Sequence, residues 1–473
     1  MSSKLSSERG AILIQVAVAS IVLIAFSMFV VDYGIMWVSR GQAQNAADAG
    51  ALAGAVALAF DDFDNRADDG PAKQAAQQIA LQNKVFGEDP DVQVATDVIF
   101  YNDDPTKFPA ECADDTCIRV DVYRTNNTID GIDRNNPLPM MFGQLVGLSE
   151  QGVRATATAQ IYAGNASECV KPWVVADRWS EGTPVPPAAL WNQSSHYNLV
   201  TDGEPDPEDV DVWDTYTPPS FVDGVFTSGT GFGAADDGGV LVDYGYQFIL
   251  RMANPGGGST LGVRSPGWVM TVNLPHDGSG PGTETDLDNI AGCTDAIVAI
   301  ADPADPCDEP SSDEPDEDGQ IVMTCIGVSP GNAWEPQEGA LEEWIGPDDI
   351  DDVWLANGEG GCTNVKGCPS NGSSKRIIPL ALFDPAHYAA SGATGSNGVV
   401  KIVNILGFFI EGTCGGGTPI DSAGFTHEAY LDCSNSGPAN DLVGRLVTIP
   451  GLAVGGAGTL GPASFTKVIR LIR

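Results

Sequence analysis

Gly327-Val328-Ser329-Pro330-Gly331 has the Gly-x-Ser-x-Gly spacing of a nucleophile elbow and follows an apolar run, Ile321 to Ile326, as such a serine should. In that elbow the residue after the serine donates its backbone N–H to the developing oxyanion, and Pro330 has none. Ser329 is therefore not expected to act as a nucleophile. Asp277-Gly278-Ser279-Gly280-Pro281 approaches the Asp-x-Ser-x-Ser arrangement that grips a hard cation, but Pro281 stands where a second hydroxyl ligand is required. Gly456-Ala457-Gly458-Thr459-Leu460-Gly461 fits the dinucleotide-loop pattern, yet only twelve residues follow it and none is acidic, so it reads as a loop. The runs Asp348-Asp349-Ile350-Asp351-Asp352 and Asp313 to Asp318 lack the twelve-residue EF-hand layout and its terminal glutamate. They read as solvated charge, with adventitious Ca²⁺ the most they would hold. No catalytic residue, cofactor site or dedicated metal site is expected.

The cysteines carry the remaining chemistry. All ten, Cys112, Cys117, Cys169, Cys293, Cys307, Cys325, Cys362, Cys368, Cys414 and Cys433, lie well beyond an N-terminal apolar stretch. No Cys-x-x-Cys pair occurs, and the four histidines, His196, His276, His387 and His427, include no His-Glu-x-x-His spacing. Zinc is thereby disfavoured, and an even number of cysteines outside the cytoplasm is what disulfides would use. Cys112 with Cys117, and Cys362 with Cys368, are close enough to close small loops, and Cys414 with Cys433 a longer one. The full connectivity stays open.

The elements that must position these residues begin with Ala11 to Val31, 21 residues without a charge. At a rise of about 1.5 Å per residue the run spans about 30 Å, the thickness of bilayer hydrocarbon. A cleaved secretory signal would have a shorter core and a small-x-small site after it, whereas this run ends in Val30-Val31-Asp32-Tyr33-Gly34. Tyr33 and Trp37 suit the outer aromatic belt, and Asp32 can sit at the headgroup level without burial in hydrocarbon. Lys4 and Arg9 precede the span, so the N-terminus is expected in the cytoplasm and the long body outside it.

That body is strongly acidic. Removing Lys4, Arg9 and Glu8 from totals of 23 basic and 64 acidic residues leaves 21 against 63 beyond Gly10. Such a charge repels phosphates and anionic headgroups, which argues against nucleic-acid binding and favours solubility.

The expected fold is α+β: a single transmembrane helix continuing into an Ala-rich helix, a small helix-plus-strand region, then a β-rich extracytoplasmic domain with long loops. The boundaries are 1–10 for the cytoplasmic N-terminus, 11–38 for the transmembrane helix, 39–60 for its Ala-rich extension, 61–165 for the membrane-proximal region and 166–473 for the acidic body. Ala46, Gly50 and Gly54 recur at i, i+4 and i+8, a smooth helix face that admits another backbone, from this chain or from another subunit. A second helix is expected from Pro71 to Phe86, strands over 92–101, 117–124 and 153–162, and a short helix over 138–148. Seven apolar runs separated by turn residues, from Val240–Leu250 to Phe465–Ile472, make the rest β-rich, and the Pro- and Asp-rich stretch 301–319 is expected to be an exposed loop.

At Glu8-Arg9-Gly10, the apolar span, Asp32-Tyr33-Gly34 and the run from Gln44 to Ala55, the chain resembles the TadE/TadG-like proteins of the Flp, or tight-adherence, pilus-assembly system. Cys169-Val170-Lys171-Pro172-Trp173 with Asp177-Arg178-Trp179, Asn289-Ile290-Ala291-Gly292-Cys293, Phe383-Asp384-Pro385 and the C-terminal Val468 to Arg473 look similar to longer TadG-like members. The resemblance implies a bacterial inner-membrane protein without enzymatic activity, its body periplasmic or extracellular, contacting other pilus-assembly membrane proteins or pseudopilins. An anchored envelope hydrolase and a surface-displayed adhesin are the alternatives. Prepilin peptidase cuts many pilin-like members after a glycine with glutamate five residues downstream. Here that bond is Gly10–Ala11 and the fifth residue is Gln15, a departure that argues against processing. Some TadG-like proteins carry a von Willebrand type A domain, which the defective Asp277 loop does not support.

Overall fold

The computed structural model describes residues 5–177 except 62–64 and 113–115. Beyond 177 it describes the stretches 216–233, 243–252, 268–276, 283–329, 334–390, 398–415, 418–420, 441–455 and 464–472, apart from short breaks within them. The candidate loops Asp277–Pro281 and Gly456–Gly461, together with Pro330, Gly331, Cys433, Arg178 and Trp179, lie outside the described residues. The protein is mixed α+β, with one long N-terminal apolar helix, few further helices and many strands in several sheets. It divides into two compact units, Met1–Leu58 with Asp64–Ile161 and Ile469–Arg473, and Ala59–Phe63 with Tyr162–Val468.

The first unit is organised by helix α1 (Leu5–Phe60), 56 residues and about 84 Å long. Its apolar part is exposed along its length, from Ile12 to Val31. From Asp32 onward one side is buried: Asp32, Ser39, Ala43, Ala46, Gly50 and Gly54 fall within about 80° of the helical circumference. The opposite side, with Trp37, Val38, Gly41, Asn45 and Val56, stays exposed.

The buried side meets α2 (Pro71–Gln82) and an antiparallel sheet in which Val98–Phe100 pairs with Cys117–Arg124 and the latter with Val153–Ala163. Ile118 and Val120 face the helix, since a Cβ built at Gly54 or Gly50 would lie 2.6 and 3.3 Å from their side chains. The reverse side of the central strand is also covered. Tyr123 lies beneath the Arg134 guanidinium, 4.5 Å from the ring centroid, and Asp121 bonds Arg119, Arg154 and Thr156. Burial pushes the Asp121 carboxyl up, but the hydrogen bonds from Arg119 and Thr156 and the charges of Arg119 and Arg154 outweigh it and hold it below the usual carboxylate range.

Three local departures from the sequence expectation share one cause, side chains capturing backbone or each other. The second helix stops at Gln82 rather than Phe86, because Val85 pairs with Glu88 and gives its carbonyl to Arg124. The strand expected over 92–101 begins as a helical turn, α3 (Val94–Asp97), where Asp97 accepts from the Gln93 N–H and from both terminal nitrogens of Arg134 at 2.7 Å. In place of a helix over 138–148 there is a short hairpin, Leu138–Pro139 paired with Glu150–Gln151, with one 3₁₀ turn at Gly143–Val146 in its loop.

The second unit is β-rich, and its main sheet closes on itself. Val399–Gly415 pairs with Ile377–Phe383, which pairs in turn with Trp173–Ala176, Trp268–Thr271, Gln247–Met252 and Asp441–Val447. Asp441–Val447 then pairs back onto Val399–Gly415, with a bulge between Ile410 and Gly412. The 17-residue strand thus serves both neighbours, and the ring leaves these six strands no free long edge. Alternate residues feed two apolar clusters, with Trp173, Val175, Leu380 and Leu382 in one and Val174, Ala176, Ala381 and Phe383 in the other. Much of 301–319 is exposed as expected, while Cys307 is buried.

Candidate functional site

Two arrangements of buried polar groups stand out, one in each unit. In the first, the Asp32 carboxylate accepts hydrogen bonds from three successive backbone N–H groups of the hairpin loop, Met141 at 2.8 Å, Phe142 at 3.1 Å and Gly143 at 2.7 Å. Asp32 is 5% exposed, so it is not a free headgroup-level carboxylate; consecutive amides hold it, a concave anion-binding arrangement of backbone. It lies eighteen residues, five helical turns, from Gly50, which is why the same side of α1 carries both.

Along that side the small-residue stripe is filled from within the chain. A Cβ at Gly50 would lie 2.9 Å from the Ala76 carbonyl and 3.0 Å from the Ala80 Cβ; one at Gly54 would lie 2.9 Å from the Ala76 Cβ. Ala46 is fully buried. Of the two partners the sequence leaves open for this stripe, α2 and the adjoining sheet occupy the place. Gly41, on the exposed side, has nothing within 4 Å of such a Cβ. Gly10 and Ala11 lie in the first turns of α1, and Gln15 is exposed on it.

In the second unit the structure gathers segments that are far apart in the chain. Cys169 is bonded to Cys293, 124 residues on. Two residues after Cys169, the buried Lys171 ammonium donates to the carbonyls of Ile290 and Gly292 at 2.9 and 2.7 Å. Those carbonyls end α4 (Thr283–Ala291), and a cation there satisfies its unpaired C-terminal acceptors. The ammonium also sits 3.5 Å from the centroid of the Trp344 ring, on α5 (Trp334–Ile345). Burial, and then the Lys375 charge, pushes it down to about 7.

Trp173 donates its indole N–H to Gln337 of α5. Asp177 accepts from the Phe232 N–H at 2.7 Å and the Tyr216 hydroxyl at 2.8 Å, and its own N–H donates to Phe383. Burial first, then the Asp177 charge, raises the Tyr216 phenol well above its ordinary value. Ser329 is 2% exposed and donates its hydroxyl to the buried Asp286 at 3.0 Å. Inside the protein this hydroxyl is engaged as a donor to a carboxylate.

Among the described residues, four disulfides join Cys112 to Cys117, Cys169 to Cys293, Cys307 to Cys325 and Cys362 to Cys368. The two short loops are those that sequence proximity suggests, and the other two pairings needed the fold. Cys433, the expected partner of Cys414, lies outside the described residues. Asp305, Cys307 and Cys325 place ligand-type atoms within 4.8 Å of one another, but a disulfide sulfur is not a thiolate, so the trio does not offer a metal its ligands. Of the acidic runs, Asp349 gives its carbonyl to Arg376 and Asp352 accepts from Ser370. Spacing singled out neither Asp32 as an anchor nor Lys171 as a helix cap. For Asp32 the available signal was its helical phase with Gly50.

A family model described as Putative Flp pilus-assembly TadE/G-like matches residues 10–57, and one described as Putative Tad-like Flp pilus-assembly matches residues 43–159. No curated protein and no solved structure matches the chain. The two matched stretches overlap within α1 and together run from the apolar helix into the strand Val153–Ala163. Over residues 10–159 the chain is similar to the TadE/TadG-like proteins of Flp pilus assembly.

Proposed function

We propose that the protein is a membrane-anchored structural component of a bacterial Tad/Flp pilus-assembly machine, acting by protein–protein contacts in the envelope and not by catalysis. The observation that carries this reading is the coincidence of the family matches with α1, whose residues Ile12 to Val31 are exposed and uncharged. A stretch of that length has no stable place in water and suits a bilayer. In this reading the N-terminus lies in the cytoplasm and the chain beyond the span outside it, with Lys4 and Arg9 as the retained basic flank. Disulfides in both units fit an oxidising compartment.

Contacts with other pilus-assembly membrane proteins or pseudopilins are assigned to the exposed side of α1, at Trp37, Val38, Gly41 and Asn45, because the Ala46, Gly50, Gly54 side is taken. Deleting the gene should abolish pilus-dependent surface attachment, and protease added to spheroplasts should digest the chain beyond the span. Full attachment by the deletion strain would remove the pilus reading, and a fully protected C-terminus would reverse the orientation.

A further inference from the structure

We propose that the loop of the hairpin 138–151 is a second membrane contact: Met141 and Leu148 enter the interfacial layer of the bilayer, with Asp32 setting their depth. The inference rests on the reading that α1 spans the membrane. Asp32 directly follows the uncharged run Ala11 to Val31 and is tied to the N–H groups of Met141, Phe142 and Gly143. If the run occupies the hydrocarbon, the loop lies within a few ångströms of its outer edge. A rigid carboxylate-to-backbone link leaves it no other depth.

The loop has the composition that this position requires. From Asn135 to Ser149 there is no charged residue, in a chain whose formal charge is −41. Anywhere else on so acidic a surface, an apolar loop tip would be exposed to water without benefit. Met141 and Leu148 are 61% and 58% exposed, more than most apolar side chains outside the helix. On α1 the exposed Tyr33 and Trp37 stack at the same level, with ring centroids 6.5 Å apart, as interfacial aromatics do. The absence of negative charge matters because a carboxylate on the loop would be repelled by anionic headgroups and would resist desolvation. Two anchoring points would stop the membrane-proximal unit from swinging about α1 and would present the exposed side of the helix in a constant orientation.

The test uses the full chain in proteoliposomes of phosphatidylcholine and phosphatidylglycerol with acyl chains brominated near the headgroup. A fluorescent amino acid is introduced singly at Met141, Leu148, Ile21 or Lys84. Quenching by bromolipid should exceed quenching by aqueous iodide at least twofold at Met141, Leu148 and Ile21, with the order reversed at Lys84. In Asp32→Ala protein the bromolipid quenching at Met141 should fall by half or more while that at Ile21 is retained. Iodide-dominated quenching at Met141 and Leu148, with Ile21 still lipid-quenched, would overturn the loop contact and leave the anchor standing. Iodide-dominated quenching at Ile21 would remove the anchor itself. Weak quenching by both reagents at Met141 would mark a protein contact and overturn the proposal, and an unchanged Met141 signal in Asp32→Ala protein would overturn the role of Asp32.

Discussion

Lys171 illustrates how a single buried charge can organise a region while lowering its own ease of ionisation. Its ammonium satisfies the carbonyl end of α4, yet burial holds it down to about 7, against an ordinary lysine value of 10.5. Between those values the unfolded chain binds more protons than the folded one, so this residue's contribution to stability rises with pH from about 7 towards 10.5 and is flat below 7. The slope is at most about 1.4 kcal/mol per pH unit. Lys171→Met removes the donor and the titration together. It should cost about 2–4 kcal/mol by orphaning the carbonyls it bonds, and the gap to the natural protein should widen between pH 7 and pH 9. Urea unfolding at the two pH values, followed by tryptophan fluorescence, measures both.

At the scale of elements, α1 has two sides with different roles. The side carrying Gly50 and Gly54 is packed so closely that added side chains must push α2 and the sheet away: at Gly54 the first Cβ already meets Ile118 of the sheet at 2.6 Å and Ala76 of α2 at 2.9 Å. Gly54→Leu should therefore destabilise the membrane-proximal unit by about 1–3 kcal/mol or more and increase its proteolysis. Gly41→Leu meets nothing within 4 Å, and leucine is the better helix former, so the unit should fold at normal levels. If the exposed side receives a partner, Gly41→Leu should nevertheless reduce cross-linking from Trp37 and Asn45 to pilus-system proteins several-fold. Undiminished cross-linking would assign that side to lipid or solvent. The pair of variants separates packing from recognition, which one substitution cannot do.

For the whole molecule, the long-range link is Cys169–Cys293, which joins the start of the closed β-ring to the end of α4 across 124 residues. By constraining so long a loop in the unfolded chain it should contribute about 2–5 kcal/mol. A Cys169→Ser, Cys293→Ser double variant should show that loss in urea, with tryptophan fluorescence reporting early unfolding around Trp173. The Cys112–Cys117 pair closes only a short loop, and its double serine variant should lose less. Equal losses would mean that local strain relief, rather than loop closure, governs these bonds.

What the amino-acid sequence determined by itself was everything carried by local pattern. The 21-residue uncharged run, the helix through Phe60, the strands at 117–124 and near 153–162 and the β-rich character beyond 166 follow from periodicity and composition, which act within a few residues. The likeness to TadE/TadG-like proteins was legible from residues 9 to 60 for the same reason. The tertiary structure alone decided matters that depend on which distant groups meet. A carboxylate at position 32 captured the amides at 141–143, an arginine at 134 turned the chain at Asp97, and the 17-residue strand closed a ring by pairing on both sides. Tertiary hydrogen bonds and close packing between distant segments have no preferred sequence separation, so nothing in the local pattern announces them. The Ala46, Gly50, Gly54 stripe lies at the boundary between the two. Its smoothness was written in the spacing, and its occupant was settled only when α2 and the sheet folded onto it.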